Sequence, residues 1–290
     1  LNIKKYDACV EKSPQKFVFA FSWYLDICCD NWAVLVLDDY IAVMPIPFRK
    51  KYGIKYVYPP LWILQLGIFT SDKKVREDDF IVSLQKHFKY VELRLNTYNK
   101  VAHFTSNKQM QVLSLEDDYK TIFNNYNRNR KRELAKAKKH DLVENWNDNP
   151  KKLIELYKNN IANRVQGISI TDFENLRNLI EYCIEKRVGE MLTIYTSKNE
   201  LVSAAFFIKY KNKVTQVVCA SDLKNRDNGA NTFSNDRAIF KYQQHFGIYD
   251  FGGSSMKNIA KYYKSFAAKT ETYSQLKFNK LPLLFQLFKR

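Results

Sequence analysis

Glycine and proline are scarce, 8 and 7 of 290 residues. That excludes collagen-like, fibrous and low-complexity chains. No run of about 18 residues is free of charge, so no membrane-spanning helix is expected. Cysteines are few (Cys9, Cys28, Cys29, Cys183, Cys219), odd in number and without metal-ligand spacing. Cys28 and Cys29 are adjacent, which leaves neither a CxxC redox pair nor a zinc knuckle. They read as small buried hydrophobes of a reducing compartment. The four histidines (His87, His103, His140, His245) show no metal spacing either. With no Walker, Rossmann or GxSxG motif, metal-dependent and nucleophilic hydrolase chemistry has no support. No basic-then-apolar leader is visible, and the expected location is the cytoplasm.

What is present is apolar mass and positive charge. Hydrophobic residues reach 46% and aromatics 15%, enough for a sizeable core, while 27% charged residues suit a folded, water-soluble surface. The length exceeds the ~250 residues at which single cores usually stop growing, so one large or two ordinary domains fit. Lys and Arg exceed Asp and Glu by 47 to 30, a net charge of +17. Such an excess attracts polyanions: nucleic acid, anionic lipid or phosphate-bearing small molecules. Lysine here accompanies abundant Asn, Ile, Tyr and Phe, the bias of an AT-rich genome, so charge alone assigns no partner.

The pattern along the chain is α+β. Trp32–Leu37 and Tyr40–Pro45 flank Asp38-Asp39 and predict a hairpin with a two-residue turn. Tyr56–Tyr58 and Leu66–Phe69 continue the sheet, and the segment from Lys86 to Leu95 reads as a helix end running into a strand. After a short strand at Gln111–Leu115, Ser114 and Asp117 resemble a capping box opening one long helix to Lys139. Asn149-Pro150 starts another helix, and Thr171-x-x-Glu174 caps a third that ends before Gly189. A second hairpin, Met191–Tyr195 and Leu201–Ile208, repeats the first. This predicts an internal duplication: two similar α+β domains with mixed sheets and a boundary near residues 108–118.

Three constellations could carry chemistry. Ser221–Thr232 lies between a strand (Val214–Ala220) and a helix (Asn231–His245), where free backbone N–H groups favour an anion; Lys224 and Arg226 add charge. An ordinary βα turn would look the same. In Tyr249–Ser255, two glycines permit close approach, Ser254 and Ser255 could simply cap the next helix, and Asp250 is the nearest candidate base. In the basic helix, Arg128, Arg132, Lys136 and Lys139 share a stripe opposite Phe123, Tyr126, Leu134 and Ala137. Arg130 falls among the apolar positions. It should be mostly buried toward the region between domains, on an anion, carbonyls or a structural ion pair.

At these residues the chain resembles a known family. Strand–loop–helix at 214–245, then a strand, two glycines and a Tyr-bearing helix, resembles the GNAT acyltransferase core. Duplicated halves of this kind resemble the FemABX family of aminoacyl transferases and its FemAB-like bacterial relatives. Val112–Leu115 through Arg128–Ala137 looks like that family's strand and R-x-x-R-K-A helix. Trp32 through Phe69, with Met44-Pro45 and Tyr58-Pro59-Pro60, looks like its first domain. The resemblance implies tandem GNAT-like domains at 1–112 and 113–290, packed side by side. The loop Arg226–Asn231 departs from the family's R/Q-x-x-G-x-G/A by ending in Asn. No coiled-coil arm is visible, and the spacing from Tyr263 to Phe266-Ala267 is one residue short.

The function so implied is transfer of an activated acyl or aminoacyl group onto an amine, in cell-wall or cell-envelope precursor synthesis. No tightly bound cofactor is expected; acyl-CoA or aminoacyl-tRNA would be the donor substrate. Its phosphates would lie on Arg226, Asn228, Gly229, Ala230, Asn231 and Thr232. The substrate would meet Arg130, and the acceptor Gly252, Gly253, Ser254 and Ser255 across the cleft between domains. Tyr263 would act as acid and Asp250 as base, unless a well-held amine loses its proton to water. The competing class is a non-enzymatic basic nucleic-acid-binding protein, suggested by charge interleaved with aromatics such as Tyr262-Tyr263.

Overall fold

The computed structural model describes residues 1–15, 17–161, 168–224, 226–253 and 255–282. In chain order the elements begin with α1 (Ile3–Lys12), α2 (Ser22–Cys28), β1 (Trp32–Leu37), β2 (Ala42–Lys51) and β3 (Ile54–Val57). Next come β4 (Phe69–Thr70), α3 (Glu77–His87), β5 (Tyr90–Arg94) and β6 (Thr105–Ser114). Then follow α4 (Tyr119–Asn124), α5 (Arg128–Lys139), β7 (Val143–Trp146), α6 (Pro150–Asn160) and α7 (Ile170–Glu185). The last are β8 (Gly189–Tyr195), β9 (Leu201–Tyr210), β10 (Lys213–Ser221), α8 (Ala230–Tyr242), β11 (Ile248–Asp250), α9 (Lys257–Lys264) and β12 (Lys269–Asn279).

The chain divides into two compact units: Leu1–Lys108 with the stretch from Thr272 onward, and Gln109–Glu271. The first unit is discontinuous because Gln275–Asn279 of β12 pairs antiparallel with β5. A single cut in the sequence does not describe it. In this unit β1 and β2 form the predicted hairpin, closed by the pair Leu37–Ala42. The turn is four residues long rather than two, because Asp38 and Tyr40 both take left-handed backbone (φ 49° and 63°). β3, α3 and β5 form a parallel crossover joined by the pair Val57–Val91. No helix of the described residues is long and apolar enough to cross a membrane.

In the second unit the strands run β6-β11-β10-β9-β8-β7. All neighbours are antiparallel except β10 and β11. Alternation sends Leu113, Phe207, Tyr249 and Phe251 to one face, where they meet Ala238, Ile239 and Tyr242 of α8, Tyr263 of α9, and Phe266 just beyond it. The expected long helix is two helices. Asp118 accepts the Thr121 N–H and Asn127 accepts the Arg130 N–H, so each Asx side chain starts a new helix. The next cap is as predicted, with Asn149 accepting from Lys151 and Pro150 in the first turn. For α7 the capping box is Ser169 with Asp172, two residues ahead of the expected pair.

Candidate functional site

In the second unit the pairing of the two parallel strands is short. β10 pairs with β11 only from Lys213–Ile248 to Thr215–Asp250. It then continues to Ser221 beside β9, with a bulge between Gln216 and Val218. Backbone groups past Thr215 on that edge are therefore without a β11 partner. A bulge re-aims a strand, and parallel strands that part at their C-terminal ends form the crevice where ligands of open α/β sheets sit.

The parted end of β10 leads to the start of α8. Asn228, Ala230 and Thr232 are buried there and Asn231 is exposed. Of Arg226 only the backbone, in a 3-10 turn with Asp227 and Asn228, is described; Asn225 and Ser254 lie outside the described residues. Gly229 is the N-cap of α8 in left-handed conformation, φ 79°. A Cβ there would lie 2.3 Å from the Glu133 carbonyl oxygen of α5. The glycine thus lets two helices meet, and α5 covers this side of the turn.

Arg130 is buried, 7% exposed, while Arg128, Arg132 and Lys139 are exposed, as the helix wheel predicts. One guanidinium nitrogen donates to Thr232 Oγ1 at 2.6 Å. The group lies 4.5 Å from the Tyr262 ring centre and 5.7 Å from that of Phe266. Its Nε has no hydrogen-bond partner, and neither does Nδ2 of the buried Asn228. These partners all belong to the second unit, so Arg130 serves that unit's interior rather than a boundary region as expected. Among the described residues no carboxylate pairs with it. Buried donors without acceptors beside a helix N-terminus form an electropositive spot.

Tyr263 and Asp250 are brought near the same strands but not together. Tyr263 stacks on Phe251 at 4.6 Å and its hydroxyl contacts the Cys219 thiol. Burial holds its phenol well above the usual range, so it stays protonated at neutral pH. Asp250, between Tyr249 and Phe251, projects to the opposite face. There it accepts the Gly252 N–H at 3.0 Å and faces Lys213 at 3.7 Å. Burial raises its carboxyl pKa and Lys213 opposes that. Gly252 and Gly253 are both left-handed, φ 79° and 72°, and carry the chain from β11 toward α9. Ser255 is exposed, its Oγ accepting the Gln109 N–H at 3.2 Å.

No motif or spacing singles out Asp236. This buried α8 carboxyl accepts from the Tyr119 hydroxyl at 2.9 and 3.0 Å. Burial outweighs those bonds and raises its pKa to about 6. The native carboxyl keeps its proton to that pH, whereas an unfolded one releases it near ~4. Between these values the native state binds more protons, so this group's contribution to stability is lost as pH rises from about 4 to 6. The expected loss is on the order of 3 kcal/mol. Asp236→Asn should flatten that part of the curve in urea titrations run at both pH values; an unchanged slope would refute the assignment.

The first unit differs at the corresponding place. After the single pair Val57–Val91, the segment Tyr58–Leu66 lies against β5, with Leu66 N–H on Arg94 O at 2.8 Å and Trp62, Ile63 and Leu66 buried. The first turn of α3 carries Glu77, Asp78 and Asp79, whereas that of α8 has no acid. Glu77 accepts from Asn99 and the Lys100 N–H, and Asp78 from the Ala102 N–H. That helix start is negative and already occupied.

With this geometry the chain is similar to several solved structures. No protein-family model and no curated protein matches its sequence. The structure of FemX covers 100% of this chain and 99% of its own, with a TM-score of 0.66 at 11% identity. The C-terminal domain of a putative lysylphosphatidylglycerol synthetase from Agrobacterium fabrum covers 99% and 94%, at 0.61 and 8%. A tandem GNAT protein from the clavulanic acid biosynthesis pathway covers 97% and 94%, at 0.56 and 7%. The fold is therefore a FemABX-like tandem GNAT fold with two GNAT-like domains.

Proposed function

We propose that the protein is an acyltransferase of the acyl or aminoacyl class, moving an activated acyl group from an anionic donor onto an amine. The observation that carries this reading is the parting of β10 from β11 after Thr215 and Asp250. An acyl arm laid along the free edge of β10 would have its anionic end at the start of α8. Arg130, Thr232 and Asn228 would meet that anion with hydrogen bonds to a charged group, about twice as strong as neutral ones. Loop residues Gly229 and Asn231 would contribute the helix end, while the Ala230 N–H already donates to Asn228 Oδ1 at 2.9 Å. Gly252, Gly253 and Ser255 would border the acceptor, positioned so that its amine attacks the acyl carbon.

In this reading the amine nitrogen bonds to the acyl carbon, the bond to the leaving group breaks, and the amine's proton goes to solvent or a base. Tyr263, held protonated, would supply the proton that the leaving atom takes up. Asp250, turned to the other face and engaged by Lys213 and Gly252, is the weaker candidate base. The similarity to FemX and to a lysylphosphatidylglycerol synthetase domain supports an aminoacyl donor; that to a tandem GNAT protein supports acyl-CoA. A purely nucleic-acid-binding role is disfavoured, since binding alone does not require parted strands.

Isothermal titration with coenzyme A and with tRNA at two salt concentrations tests the reading. Micromolar coenzyme A binding supports acyl-CoA; salt-dependent tRNA binding without it supports aminoacyl-tRNA. Binding of neither would refute the proposal. With the donor known, Tyr263→Phe should lower the transfer rate by roughly 10²-fold and leave donor affinity unchanged. An unaltered rate would remove Tyr263 from the chemistry.

A further inference from the structure

Two glutamines in the second unit lack what buried amides require. Gln111 on β6 is 0% exposed and Gln216 on β10 is 2% exposed. Both the oxygen and the nitrogen of each amide are without a hydrogen-bond partner. Buried polar groups are nearly always paired, and each exception costs stability until something supplies the partner.

Their positions are related through β11. The Phe251 N–H donates to Gln111 O, which puts Gln111 beside Phe251 on one side. Gln216 is the first residue of β10 beyond its last pair with β11, on the other side. It pairs with Phe207, whose ring lies 6.1 Å from Tyr249, and Tyr249 lies 4.8 Å from Phe251. The two side chains thus belong to one face and flank one phenylalanine where the strands part. Each offers an NH2 group that donates and a carbonyl oxygen that accepts, the complement of an amide group.

We propose that Gln111 and Gln216 are a two-amide clamp that hydrogen-bonds an amide group of the substrate chain where the pairing of β10 with β11 ends. This rests on the acyl-transfer reading and adds to it a substrate feature and two specificity-determining residues. The amide has two possible sources, the donor's arm or a peptide-like acceptor.

The test uses Gln111→Met and Gln216→Met in the full chain, with melting curves and calorimetric titration of three probes. Coenzyme A carries amides and phosphates, adenosine 3′,5′-bisphosphate only phosphates, and N-acetyl-dialanine amide only amides. Removing an unpaired buried amide should raise Tm by about 2–6 °C. It should also weaken one amide-bearing probe at least tenfold and leave the bisphosphate unchanged. Loss confined to coenzyme A assigns the clamp to the donor; loss confined to the peptide amide assigns it to the acceptor. A fall in Tm, or unaltered affinity for both amide probes, overturns the clamp. So does a wild-type protein that binds neither amide probe; if the bisphosphate still binds, the anion site survives and only the clamp fails. A protein that also ignores the bisphosphate and tRNA loses the transferase reading as well.

Discussion

Gly229→Ala should destabilise the second unit by about 2–5 kcal/mol, a drop of roughly 10 °C in Tm. Two costs add. A left-handed conformation, φ 79°, is unfavourable for any residue with a Cβ, by roughly 1–2 kcal/mol. The new Cβ would also lie 2.3 Å from the Glu133 carbonyl oxygen and 3.2 Å from the Ala137 nitrogen, both backbone atoms of α5. Backbone cannot rotate away, so α5 and α8 must separate, and overpacking of this kind costs roughly 1–3 kcal/mol. Urea denaturation measures the effect. A change below about 1 kcal/mol would refute the steric conflict between a side chain at position 229 and α5. The loss does not depend on ligand, which distinguishes a glycine needed for packing from one needed only for a phosphate.

Arg130→Met should weaken binding of the anionic donor about 100-fold, near 3 kcal/mol, without lowering Tm. The guanidinium is buried with one hydrogen bond, to Thr232, and two aromatic neighbours, but no carboxylate among the described residues. Desolvating a charge is costly, and replacing a buried ionic group with an apolar one of similar volume is often neutral or stabilising. Donor titration and a melting curve on the same variant separate the alternatives. Retained affinity with a lower Tm would make Arg130 structural. Arg130→Lys should also bind poorly, since an ammonium lacks the planar fork that fits a phosphate or carboxylate.

The sequence by itself determined the αβ character, both hairpins, the helix starts at Asn149-Pro150 and before Phe173, and the burial of Arg130. These follow from periodicity and capping chemistry, which act over a few residues. Tyr119–Lys139 shows where such signals mislead: a capping-box-like start at Ser114 and Asp117 suggested one helix, but Asp118 and Asn127 each cap one of two. Tertiary structure alone decided three further matters. The bond between Phe251 and Gln111, 140 positions apart, puts Gln111 near the parted strands, and nothing local to either segment predicts it. α5 folding over Gly229 added a helix contact to a glycine that the loop pattern alone assigned to phosphate. Asp236 carries no local signal, and it is Tyr119 and the surrounding core that take it out of water. In each case the deciding energy comes from desolvation or steric overlap between distant segments, which local sequence does not encode.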